Sequence, residues 1–324
     1  MALPATDPAD RIWRLIDKAD VRFRTALINA VNAARDQYTL AELARLIEAG
    51  NIQEALERVA ATGAIRLADE YAAVYTLSGQ NTAEALEDML QVLVSFDQVN
   101  ERAVFHMRQE RLRFIREFTA SQRNATRSAL IDGIERGLNP RDQARNFRAS
   151  IGLTERQQDA VRNYRRLLSE GSSEALDRRL HDKRFLPKGS KARREFLSGE
   201  RPLTSAQIDK MVERYNERFI KYRSEVIGRT EALRAVHSGN EEMYRQAIDA
   251  GQVTVQQLER TWVTARDGRV RDTHSMLGGE KRGIDEVWET PNGSLRYPGD
   301  PDAPPEETVQ CRCSLATRIV GPID

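Results

Sequence analysis

Apolar residues recur at helical spacing through most of this 324-residue chain, and only after Leu258 does the period drop to two. That contrast predicts an α+β fold: a mostly α-helical body with a small, loop-rich C-terminal β module. Residues 8–37 read as one amphipathic helix, with Ile12, Leu15, Ile16, Val21, Phe23, Ala26, Leu27 and Val31 recurring at helical spacing. A second helix over Leu40–Ala49 is closed by Gly50, and a third spans Gln53–Tyr75. The stretch SGQNT at 78–82 predicts a break, with Asn81 or Thr82 capping the helix that follows. That helix runs to Arg136, interrupted near Phe96–Val99, and Gly137 ends it. Asn139 before Pro140, and Thr154 three residues before Gln157, are helix starts in which side chains satisfy backbone donors left over at the first turn. Residues 180–202 are rich in Lys, Arg, Gly and Pro and read as a basic loop. Thr204 with Gln207 opens a long helix to about Val236, and a separate helix covers Asn240–Ala250.

Beyond Leu258 the texture changes. RTWVTA at 260–265 fits a strand, and RDTHSMLGG at 271–279 a helical turn closed by glycines. VWETPNGSLRY at 287–297 predicts a hairpin with Asn292-Gly293 at its turn. GDPDAPPEE at 299–307 reads as a proline-rich loop, and TVQCRCSLATRI at 308–319 as a last strand. The expected division is an N-terminal helical region over 1–137, a basic helical segment and loop over 138–202, and a C-terminal domain over 203–324.

Composition narrows the function classes. Hydrophobic residues make up 40%, aromatic residues only 6% and charged residues 31%, which suits helices with a narrow apolar stripe and a wide solvated face. No run of about 18 apolar residues exists, so no membrane span is expected, and the first residues lack a signal peptide's basic and apolar segments. Two cysteines make no disulfide framework, which points to a reducing cytoplasm or a particle assembled there. Net charge is +1 overall, but counting along the sequence gives −6 over 1–100, +9 over 101–200 and −2 over the remainder. The basic middle, with Arg178, Arg179, Lys183, Arg184, Lys188, Lys191, Arg193 and Arg194, is a candidate contact for DNA phosphates. Equally, it reads as an arginine-rich solvated face.

The chemistry-bearing residues gather late. On a strand, Cys311 and Cys313 share a face at a separation too wide for an easy mutual disulfide. Structurally they are two small buried hydrophobes; chemically they are a thiolate pair able to hold zinc, with His274 as third ligand. Asp267, Asp272, Asp285 and His237 compete for the fourth position. Glu231 or His237 can be read as a general base, or the helix around them as an ion-paired face on which Arg229 or Glu231 braces loop backbone. Asp267, Arg269, Arg271, Asp272 and His274 can be read as a nuclease or hydrolase centre. However, no paired carboxylates at a recognisable metal spacing accompany them, and the chain lacks a P-loop, G-x-S-x-G or H-E-x-x-H. Trp262, Trp288, the prolines and the glycines suit a compact structural or docking module.

The ordered motifs IGRTEAL, W, ARDGRVRDTH, YPGD and QCRC, across about Leu203–Ile319, resemble the phage Mu F-like family of head morphogenesis, or minor head, proteins. GLNPRDQARNFRASIGLTERQQDAVRNYRRLL is similar to the helical segment preceding that domain, whereas residues 1 to about 110 carry no matching motif. The matching positions are Arg229, Thr230, Glu231, Trp262, Asp267, Arg269, Arg271 and His274; Gln310 stands where the family often has asparagine. The resemblance implies a non-enzymatic virion protein present in few copies in the capsid interior, assembled in the host cytoplasm. It also implies association with the portal protein and capsid or scaffold proteins and, in some phages, travel with the DNA; contact with packaged double-stranded DNA is expected from the basic middle alone. Some members carry fused toxins; with the sequence closing at Asp324, none is expected here. The rival reading is a metal-dependent nuclease or effector enzyme built on the C-terminal His, Asp and Cys residues.

Overall fold

The structure is a computed structural model that describes residues 7–265 and 267–321, so the first residues, read above as lacking a signal peptide, lie outside it. Helices are numbered in chain order: α1 Pro8–Arg35, α2 Leu40–Glu48, α3 Gln53–Leu90, α4 Glu101–Glu135, α5 Pro140–Ser150, α6 Glu155–Ser169, α7 Glu174–Asp177, α8 Lys191–Ser198 and α9 Ser205–Asp249. The C-terminal part holds β1 Leu258–Val263, α10 Asp272–Leu277, β2 Lys281–Gly283, β3 Trp288–Thr290, β4 Gly293–Leu295, α11 Pro305–Thr308 and β5 Ser314–Ile319. The fold is mostly helical α+β with its small antiparallel sheets near the C-terminus.

The chain divides into two compact units, one comprising Met1–Ala26, Leu67–Leu112 and Ser224–Asp324, the other Leu27–Arg66 and Arg113–Arg223. In the second unit α2 packs on α5. Asn139 caps α5 by accepting from the Asp142 backbone, and Thr154 and Gln157 form a reciprocal box at the start of α6. The buried Arg223 guanidinium donates to the Gly152 carbonyl at 2.8 Å and lies over the Phe118 ring, and burial pulls its pKa down to about 10. The segment expected to be a basic loop contains the eight-residue α8, capped by Ser190 and closed by Gly199 in the left-handed conformation. Its single buried side chain, Phe196, anchors it, which composition alone does not reveal.

In the first unit two expected breaks are absent. Helix α3 continues through SGQNT because its polar groups bond α9 instead of terminating the helix. Ser78 Oγ donates to the Val236 carbonyl at 2.8 Å, and Ser78 and Thr82 both reach Asn240 Oδ1. Helix α9 likewise runs unbroken through His237-Ser238-Gly239-Asn240. Its Gly239 is a point of close approach between the two helices: an added Cβ would sit 2.3 Å from the Tyr75 carbonyl oxygen. Around this seam Leu86, Leu90, Met243, Tyr244, Ala247, Leu258 and Ile284 form an apolar core.

The three-stranded sheet has the order β2-β1-β5, all antiparallel, with Trp262 opposite Leu315 and Arg260 opposite Arg282 on one side and Thr317 on the other. The period-two pattern of β1 turns Leu258, Arg260 and Trp262 inward. The hairpin forms with Thr290 opposite Gly293, so its two turn residues are Pro291 and Asn292, one position earlier than expected. Gly293 sits in the ladder at φ 145°, where an added Cβ would meet Pro304 at 3.0 Å.

Candidate functional site

The site begins with a backbone reversal. The cysteines were expected on the last strand, yet β5 starts only at Ser314. Before it, the proline-rich segment folds into the single-turn α11, and Gln310 adopts a left-handed φ of 55°. Strand alternation therefore does not apply at 309–313: Val309, which alternation would place on the face of the cysteines, is 38% exposed while Cys311 and Cys313 are buried. The reversal is pinned from α9. Thr230 Oγ1 accepts from the Gln310 backbone at 3.0 Å, and Arg229 Nε donates to the Cys311 carbonyl at 3.3 Å. Arg271 donates to the Val309 carbonyl from the other side.

This turns both sulfurs toward one nitrogen. Cys311 Sγ lies 3.4 Å and Cys313 Sγ 3.5 Å from His274 Nδ1, and the Cys313 backbone donates to Cys311 Sγ. The ring's other nitrogen, Nε2, lies 2.8 Å from Glu307 Oε2, off the line of an ideal hydrogen bond. Glu307 is itself fully buried and accepts from Asn292 Nδ2 at 2.8 Å and Thr273 Oγ1 at 3.0 Å. Burial pushes its carboxyl up, but those bonds outweigh it and the group titrates below the usual range. For Cys311 burial acts upward as well, and the bonds with Cys313 and His274 reverse the sign; Cys313 is raised by its bond to Cys311 and by burial. The Trp262 ring meets His274 edge-on at 5.2 Å, and Trp288 lies 5.3 Å from Trp262, closing the apolar wall.

Among the described residues, His274, Cys311 and Cys313 are the only His, Cys, Asp or Glu side chains that gather within 4.8 Å of one another in a group able to hold a metal ion. Asp267, Asp272, Asp285 and His237 do not join them. Asp267 pairs with Arg269 at 2.8 Å and Arg312 at 3.1 Å, and the Arg269 bond holds its carboxyl below the usual range. Asp285 pairs with Arg245, and Asp272 opens α10. Glu231 is buried and lies 3.6 Å from Arg234.

His237 is buried away from the thiols, and burial, reinforced by Arg229 and Arg260, lowers its pKa to about 3. It is therefore neutral when folded, whereas an unfolded imidazole titrates near about 6.5. Its share of stability is complete above that value and is lost as pH falls, because the unfolded chain then binds a proton the folded one refuses. The slope is about 1.4 kcal/mol per pH unit between the two values. We expect His237→Gln to flatten the pH dependence of the urea midpoint between neutral pH and pH 4 by about one proton's worth.

Two residues central to this module escaped the sequence reading. Glu307 sits 33 positions from His274; the run Pro304-Pro305-Glu306-Glu307 signals a helix start, but nothing in it names the partner. Arg260 is 1% exposed and donates to the carbonyls of Gly283 at 2.7 Å, Glu286 at 2.6 Å and Arg296 at 2.9 Å, and to Glu241 at 3.3 Å. Its inward position on β1 was readable from alternation; its carbonyl partners were not.

The basic residues lie in the other unit. Arg179, Lys183, Arg184, Lys188, Lys191 and Arg194 are exposed, and Arg178 and Arg193 half-buried. Several are engaged locally: Arg184 with the buried Asp182 at 2.7 Å, Arg194 with the Gly189 carbonyl at 2.9 Å, and Arg179 over the Tyr222 ring.

Residues 200–316 match the family described as phage Mu protein F like protein. No curated protein and no solved structure matches the chain.

Proposed function

We propose, from the phage Mu F-like domain at residues 200–316, that this chain is a minor head protein acting in phage head morphogenesis, bound to the portal or the inner capsid wall. The observation that carries the reading beyond the family match is where the motif side chains go. Thr230, Arg271 and Arg312 spend their polar groups on the module's own backbone or on Asp267, and Arg229 divides its donors between the Cys311 carbonyl and the Asp17 carboxylate of α1. His274 and the two cysteines are at most 1% exposed, so a substrate has no approach to them. A turnover site needs its reacting groups within reach of a bound substrate. This supports a non-enzymatic role over the nuclease reading, and we expect no DNA cleavage with added divalent metals. Among the described residues no helix is long and apolar enough to cross a membrane. Co-purification with portal protein from procapsids tests the assignment; absence from both procapsids and virions would refute it.

Contact with packaged DNA through residues 178–194 is part of the proposal, as phosphate attraction without base readout. If about four cations meet phosphates, the logarithm of affinity falls with the logarithm of salt at a slope of about −3.6, so affinity drops about a hundredfold between 50 and 200 mM. Fluorescence anisotropy with a duplex oligonucleotide measures the slope. Lys183→Ala with Lys188→Ala should reduce its magnitude by about two; an affinity indifferent to salt would remove DNA from the list of partners.

A further inference from the structure

We propose that Cys311 Sγ, Cys313 Sγ and His274 Nδ1 are three ligands of a buried zinc ion, oriented from behind by Glu307, which clamps α10 to the reversal at 309–313. Zinc holds thiolate sulfur at about 2.3 Å and imidazole nitrogen at about 2.0–2.1 Å, so tetrahedral angles put nitrogen and sulfur about 3.6 Å apart. Here the two distances are 3.4 and 3.5 Å, and the three ligand atoms lie within 4.8 Å of one another. The nitrogen–sulfur distances thus stand within about 0.2 Å of those a shared zinc ion sets.

Tautomer chemistry points the same way. With the Glu307 carboxylate against Nε2, the ring proton belongs on Nε2. Nδ1 then presents a single lone pair, and two thiols converge on it. One lone pair does not accept two S–H donors well, whereas one cation satisfies the nitrogen and both sulfurs together. A carboxylate behind a ligating histidine is the usual arrangement that fixes ring orientation and raises basicity, and Glu307 is in turn held by Asn292 and Thr273.

The binding step balances as two thiols and one hydrated zinc ion giving a dithiolate complex, with two protons released to solvent. The fourth position falls to a small oxygen ligand. The bond closes a loop of 37 positions between His274 and Cys311, so metal binding adds directly to module stability. This inference concerns the isolated protein and stands or falls independently of any role in the phage head.

The test uses the full chain, purified under reducing conditions. Elemental analysis should give one zinc per chain, and removal by a chelator should lower the melting temperature, with zinc restoring it. Cobalt in place of zinc should give thiolate-to-metal charge-transfer absorption and the strong visible bands of a four-coordinate site. Cys311→Ser and Cys313→Ser should abolish that absorption. Since either variant can lose the fold, Glu307→Gln, which leaves all three ligands in place, should weaken zinc about 10–100-fold in a competition titration while circular dichroism stays unchanged. The proposal is overturned if reduced, folded wild-type protein takes up no zinc, shows no thermal shift with it and gives no cobalt–thiolate band, or if Cys311→Ser binds zinc as tightly as wild type.

Discussion

Replacing Arg260 with alanine is expected to destabilise the unit that holds the C-terminal module by about 3–5 kcal/mol, among the largest effects of any single substitution in this chain. The guanidinium is the common partner of three carbonyls, from β2, the turn after it and β4's exit, and of the Glu241 carboxylate on α9. It also stacks over the Trp288 ring at 4.9 Å. Truncation leaves those oxygens buried and unpaired, and an unpaired buried acceptor costs more than the bond was worth. Glu241 is already raised by burial, and Arg260 is the foremost of the arginines that offset it. Without that arginine, Glu241 should take up a proton at higher pH. Arg260→Lys keeps the charge but lacks the planar fork that spans several acceptors, so an intermediate loss is expected. The readout is the urea midpoint followed by tryptophan fluorescence, since Trp262 and Trp288 are both buried in this module. A loss below about 1 kcal/mol for Arg260→Ala would mean the carbonyls find other donors.

Gly239→Ala should cost about 2–4 kcal/mol even though alanine is the better helix former by about 1 kcal/mol. The new methyl group would stand 2.3 Å from the Tyr75 carbonyl oxygen, 3.0 Å from Ser78 Cβ and 3.2 Å from the Gly79 nitrogen. Two of these are backbone atoms of α3, so relief requires moving a helix, which also pulls Ser78 and Thr82 from Asn240. Gly63→Ala is the control. There the new methyl would meet Phe118 Cε1 at 2.3 Å, and a ring can rotate away, so the loss should be smaller. Thermal unfolding of the two variants beside wild type decides it; equal losses would show that the backbone contact at Gly239 is not what limits the helix approach.

The helices were largely legible because their signals are local. Asn139, Thr154 and Thr204 cap where their spacing to Pro140, Gln157 and Gln207 says they should. The errors fell where a local break signal met a tertiary partner. Ser78, Gly79 and Thr82 look like a loop, yet Gly79 admits the Phe96 ring and the hydroxyls bond Asn240 across the seam. Gly239 looks like a helix stop but is the gap that lets α3 approach. At the candidate site, His274, Cys311 and Cys313 could be singled out by residue type. Their convergence depended on the left-handed turn at Gln310, which places the thiols together by a route other than strand alternation.

The amino-acid sequence by itself determined the helical periodicity, the caps, the switch to period two after Leu258 and the family motifs, because each depends on neighbours within a few positions. The tertiary structure alone decided which polar groups are buried and what they meet: Arg260 with its carbonyls, Glu307 behind His274, Asn240 between Ser78 and Thr82. The physical reason is that a buried donor or charge must be satisfied by whatever the fold brings within about 3 Å. Those partners stand 23 to 162 positions away along the chain.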